Sequence, residues 1–148
     1  MYKHIMLPVE GDELSTRVVD ECFRFARSIG AKVTVLHVVP HTNIHVPAGF
    51  TSDIVNDLNK HLEQKNVKNG KKMLMEIEAN ARSADVECDN VVVVGDSPYE
   101  EIIDSAEKND CDLIMMASHA RRDLDAILTG SETVRVIKHT RIPVLVVR

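Results

Sequence analysis

The sequence predicts an α/β domain built on a parallel five-stranded sheet with helices on both faces. Three observations carry this. Strand-like and helix-like segments alternate five times without a break. The strand-like runs are β-branched and almost continuously apolar, as in strands covered on both sides. The 148 residues hold no internal repeat, linker or low-complexity stretch, so they make one domain, residues 1–148, large enough to bury about 68–70% of its unfolded surface.

Residues 2–9, YKHIMLPV, read as strand one, and Gly11-Asp12 as its exit turn and a helix start. Leu14, Val18, Cys22, Phe25 or Ala26, and Ile29 then recur at helical spacing, closed by Gly30. Residues 31–39, AKVTVLHVV, are strand two. Residues 40–51 hold two prolines and a glycine and predict an irregular excursion. Ser52 is the expected cap of a long helix reaching about residue 84, with Ile54, Leu58, Leu62, Met73 or Leu74, Ile77 and Ala81 along one face. Gly70 weakens its middle. Residues 86–95 are strand three; Ser97 and Pro98 open helix three, with Glu100 placed for a capping box. Residues 111–118 are strand four. A mixed connection leads to Gly130-Ser131, a last helix turning Val134, Ile137 and Val136 toward the sheet, and strand five, residues 142–147. Ligands of such sheets sit beyond the carboxyl ends of the strands where strand order reverses, which singles out loops 8–13, 38–51, 95–98 and 117–132.

Composition narrows the function. A formal charge of −5 disfavours non-specific nucleic-acid or anionic-membrane binding, and no apolar run is long enough to span a bilayer. Met1 runs into strand one without the features of a secretory signal, so the expected location is the cytoplasm. Cys22, Cys88 and Cys111 lie far apart and form no C-x-x-C pair; they read as reduced core thiols. His37, His41 and His45 would align on a helix, but Pro40 and Pro47 oppose one there, so no metal site is expected.

Met116 to Ser131 is the most informative stretch. A helix start presents unpaired N–H groups and partial positive charge, which suits a phosphate, and Gly130-Ser131 supplies close backbone approach and a hydroxyl; an ordinary cap uses the same residues. Arg121 and Arg122 either add counter-charge or form a solvated pair balanced by Asp123 and Asp125. No phosphate-loop or nucleophile-elbow motif is present.

Over its whole length the chain resembles the universal stress protein family. The resemblance is carried by P-V-E-G at Pro8 to Gly11, L-H-V-V at Leu36 to Val39, G-D-S-P-Y-E-E-I-I at Gly95 to Ile103, and R-I-P-V-L-V-V-R at the end. Nucleotide-binding members of that family carry Gly-x2-Gly-x9-Gly-Ser/Thr after strand four. Here the spacing is kept as Ala117, Ala120 and Gly130-Ser131, with alanine at both leading positions. The resemblance implies a three-layer, doubly wound, Rossmann-like sheet of the adenine-nucleotide alpha-hydrolase-like type, order 3-2-1-4-5. It also implies a site for ATP or a related adenine nucleotide. Val38 would face the adenine, with Pro8 and Glu10 beside base and ribose. Met116, Ala117 and Ala120 would line ribose and inner phosphates, and Gly130, Ser131, Glu132 and Thr133 the outer ones. Mg2+ or Mn2+ is expected only together with nucleotide. Glu10 is one methylene longer than the aspartate usual there, and an alanine held at positive φ costs about 1–2 kcal/mol. The unpaired apolar edge of residues 142–147, together with the resemblance, predicts a homodimer. The expected role is a nucleotide-responsive binding module. Its alternatives are a dimeric interaction protein that binds no nucleotide and a slow ATPase.

Overall fold

The structure is a computed structural model that describes residues 1–118 and 132–147. In chain order it contains β1 (His4–Pro8), α1 (Glu13–Ile29), β2 (Lys32–Val39), α2 (Ser52–Ser83), β3 (Cys88–Val94), α3 (Pro98–Lys108), β4 (Leu113–Ala117), α4 (Glu132–His139) and β5 (Val144–Val147). All strand pairs are parallel and the sheet order is β3-β2-β1-β4-β5, as the resemblance implied.

Alternation along the inner strands divides the core in two. Ile5 and Leu7, Val33 and Val35, and Leu113 and Met115 pack under α1 and α2 with Val18, Cys22, Ala26, Leu74 and Ala81. Met6, Leu36, Ile114 and Met116 face the other way, onto Ile102 and Ala106 of α3 and Val136 of α4. Among the described residues Met6, Leu7, Leu36 and Ile114 are fully buried, each worth about 1.5–3 kcal/mol relative to exposure.

Helix ends explain where several elements begin and stop. Asp12 caps α1, its Oδ1 accepting the Ser15 N–H at 2.8 Å, and Gly30 ends the helix in the left-handed conformation at φ 68°. The α2 cap is Thr51, one residue before the expected Ser52; Thr51 Oγ1 accepts the Ile54 N–H. The expected capping box at α3 does not form. The Ser97 side chain makes no capping bond, and Glu100 instead takes the Tyr99 hydroxyl at 3.0 Å.

The apolar stripe of α2 is buried only from its middle onward. Ile54 and Leu58 are exposed, whereas Gly70, Leu74 and Ala81 are buried. A helix of 32 residues runs about 48 Å, far beyond the reach of an eight-residue strand, so its first turns outrun the sheet. On α4, Val136 is buried as expected, whereas Ile137 points out at 50% exposure, against the expectation that it faces the sheet. The three thiols are free, and burial pushes each of them up to about 12, consistent with inert structural cysteines.

Candidate functional site

β1 and β4 part early. Their pairing covers Ile5 with Leu113 and Met6 with Ile114, whereas β1 stays paired with β2 as far as Pro8 and Leu36. β1 has β2 on one side and β4 on the other, with α1 and α2 covering one face and α3 and α4 the opposite face. The carboxyl end of β1 is therefore the switch point of the sheet.

Two clefts open there, and Glu10 lines both. One, of about 250 Å³, lies on the α3/α4 side and is lined by Pro8, Glu10, Ser15, Met116, Ala117 and Thr133, with Pro98, Ile102 and Glu132 completing its rim. The other, of about 350 Å³, lies between the end of β2 and α2, bordered by Glu10, Gly11, His37, Val38, Asn66, Asn69, Gly70 and Met73. Seven residues expected at the site, Pro8, Glu10, Val38, Met116, Ala117, Glu132 and Thr133, thus line one or both clefts. Ala120, Gly130 and Ser131 lie outside the described residues, as do His119, Arg121 and Arg122.

Local geometry sets what each side can offer. Gly11 takes φ 88°, which favours glycine in the turn; a Cβ there would stand 2.7 Å from Sδ of the flexible Met73 side chain and push it aside. The Glu10 N–H donates to Ser15 Oγ at 3.1 Å, and that hydroxyl donates to Asp12 Oδ1 at 2.6 Å, which fixes the turn from β1 into α1.

Val38 presents backbone to the larger cleft. In a parallel ladder, successive residues direct their peptide groups alternately to the two neighbouring strands. Leu36 O accepts the Val9 N–H on the β1 side at 2.8 Å, and Val39 O accepts the Gly95 N–H on the β3 side at 2.9 Å. The N–H and carbonyl of Val38 therefore point toward the β1 side, beyond the last β1 rung.

On the smaller cleft, Thr133 Oγ1 donates to the carbonyl of Ala117 at 3.2 Å, holding the start of α4 against the end of β4. Glu132 is engaged twice: one oxygen accepts the Tyr99 N–H at 2.9 Å and the other the Arg135 guanidinium at 3.0 Å. Ala117 belongs to β4, and among the described residues the only non-glycine positions at positive φ are Asp85 and Asp110. The conformational penalty considered for Ala117 is thus absent, and its departure from glycine amounts to one methyl group.

His37 lies in β2 with its Nδ1 donating to the Val9 carbonyl at 2.9 Å, while His41 faces Glu63 at 3.2 Å from the loop beyond. Among the described residues no group of three His, Cys, Asp or Glu side chains is placed to hold a metal ion. None of the described residues lining the two clefts is Lys or Arg.

Comparison with known proteins agrees with this geometry. The model of the universal stress protein family matches residues 1–148. The chain belongs to that family. It is similar to Universal stress protein MJ0531 of Methanocaldococcus jannaschii, 32% identical over 149 residues that cover 100% of this chain and 83% of the relative. Among solved structures, that of hypothetical protein MJ0577 superposes with a TM-score of 0.79 at 30% identity, covering 99% of this chain and 96% of the other. The universal stress protein of Archaeoglobus fulgidus in complex with dAMP gives 0.68 at 23% identity, covering 99% and 98%. A universal stress protein in complex with cAMP gives 0.71 at 19%, covering 99% and 97%. At those last identities the likeness is one of fold. Ser15, His37, Asn66, Asn69 and Met73 are lining residues that motif reasoning did not find; of the neighbouring features, only Gly70 inside a long helix offered a signal in the sequence.

Proposed function

We propose that this universal stress protein binds an adenine nucleotide across the β1 carboxyl end, with the base in the cleft beside Val38, the ribose near Glu10 and the phosphates toward Ala117 and Thr133. The observation that carries the reading is that Glu10 lines both clefts at this end of the sheet, one of them floored by the outward-turned Val38 peptide group. One N–H donor beside one carbonyl acceptor complements adenine, whose N1 accepts and whose N6 amine donates. Guanine carries the reverse pattern on that edge, so the same strand edge disfavours it. Relatives of the same fold solved with dAMP and cAMP support the choice of ligand class. Ala120, Gly130 and Ser131 complete the phosphate side in this reading, with Mg2+ or Mn2+ entering only with the nucleotide.

The reading extends to a cytoplasmic homodimer whose nucleotide occupancy alters a partner-binding surface. Among the described residues β5 pairs only with β4, which leaves its outer edge open and Leu145 38% exposed, the kind of edge a second copy covers. A second reading, a dimeric interaction protein that takes no nucleotide, is favoured by one observation: Glu10 and Glu132 bring two carboxylates to a lining with no Lys or Arg among its described residues. Slow ATP hydrolysis is the remaining alternative. Mass spectrometry of the small molecules released on denaturing freshly purified protein separates them. Stoichiometric adenine nucleotide supports the first reading; its absence, with no binding on later addition, supports the second; and release of ADP from bound ATP on standing supports the third.

A further inference from the structure

The wall of the larger cleft opposite Val38 is supplied by α2, and two of its residues carry the same chemistry. Asn66 and Asn69 are three apart, hence on one helix face, and both line the cleft. Both are exposed, and neither amide bonds to another described residue.

The helix is held close to the sheet here by a specific device. Gly70 is buried without a side chain, and a Cβ at that position would stand 2.8 Å from His37 Cδ2. The His37 ring is itself fixed by its Nδ1 bond to the Val9 carbonyl. α2 therefore rides directly against the ring that precedes Val38, and the two asparagines border the same space as the Val38 peptide group. A cleft of about 350 Å³ lies within the range of roughly 300–1,000 Å³ usual for small-molecule sites.

We infer that Asn66 and Asn69 are specificity-determining residues that read the second edge of an adenine base, the edge formed by N7 and the N6 amine, while Val38 reads the first. A carboxamide matches that edge with two bonds: its oxygen accepts from N6–H and its NH2 donates to N7. Guanine and hypoxanthine offer acceptors at both positions and leave the carboxamide oxygen without a donor. The base is then held from both sides, by strand backbone and by helix side chains, and the pair acts on base choice without touching ribose or phosphate. This inference rests on the nucleotide reading above and adds to it the residues that select the base.

The test compares AMP with 7-deaza-AMP, which lacks only the N7 acceptor, by calorimetry on the full chain and on the N66A/N69A variant. Wild-type protein is expected to bind AMP at least about fivefold more tightly than 7-deaza-AMP. The variant is expected to lose that preference and at least about fivefold of its AMP affinity, while its thermal unfolding stays unchanged because both side chains are exposed. Equal affinities of wild type for the two nucleotides, or a variant that keeps the preference, overturn the assignment of the asparagines and leave nucleotide binding standing. Wild type that binds neither compound overturns both.

Discussion

The carboxylate of Glu132, the first residue of α4, accepts the backbone N–H of Tyr99 in the first turn of α3, 33 positions earlier, at 2.9 Å. It replaces the cap that Ser97 fails to provide and places negative charge at the positive end of the α3 dipole. Because its second oxygen is held by Arg135, the side chain is a strut between two helices. Glu132→Ala is therefore expected to destabilise the fold by about 0.5–2 kcal/mol, and Glu132→Gln by less. Urea unfolding midpoints check this; an unchanged midpoint for the alanine variant would remove the strut from the description.

Gly70 and His37 make a prediction in which the sign of a substitution depends on its neighbour. Alanine in a helix interior gains about 1 kcal/mol over glycine, but here its methyl collides with a ring that is tied down, at a cost of about 1–3 kcal/mol. Gly70→Ala alone is expected to be neutral to destabilising by about 2 kcal/mol. In a His37→Ala background it is expected to stabilise by about 1 kcal/mol. A double-mutant cycle with no coupling would show that the contact carries no energy.

His4 gives the stability a pH dependence. Its ring is buried and its Nε2 meets Thr34 Oγ1 at 2.7 Å. Burial, followed by the charge of Lys32, lowers its pKa below the ordinary 6.5, against the opposing influence of the Asn109 backbone, Asp89 and Asp112. Since the unfolded state then binds the proton more readily, stability from this group is full above about pH 6.5 and is lost as pH falls below it. Asp112 works in the same direction at lower pH. Its own desolvation pushes its pKa up, but the N–H groups of His4 and Lys3, at 2.9 Å each, hold it net below 3.8. Unfolding free energies measured from pH 5 to 8 should rise up to about pH 6.5 and level off above it, and His4→Gln should flatten the rise; an equally steep rise in the variant would assign the slope elsewhere.

The β5 edge predicts the oligomeric state. Leu145→Glu adds charge to the exposed apolar strand without entering the core, so sedimentation velocity should report a dimer for the wild type and a monomer for the variant. A wild type that sediments as a monomer at tens of micromolar would remove this edge as an interface.

Much of the architecture was legible because each element carried its own local signals. The alternation of Ile5 with Met6, the Asp12 cap and the Gly30 stop are properties of a few adjacent residues, and strand order followed from the family resemblance. What escaped depends on distant partners. The bond that ties Glu132 to Tyr99 spans 33 positions. Ile54 and Leu58 were expected inside because periodicity gives a face but not the length of the sheet beneath it. Asn66 and Asn69 line the larger cleft where Gly70 lets α2 settle on His37, a relation between two elements that neither segment encodes alone.

Isothermal calorimetry of nucleotide-free protein with ATP, ADP, AMP and cyclic AMP, repeated on Ala117→Gly, tests nucleotide binding most directly. Since Ala117 sits at an ordinary strand φ, saturable binding of at least one adenine nucleotide is expected in the wild type, with the glycine variant within a few-fold of it. No saturable heat for any of the four in either protein, at millimolar ligand, would contradict it.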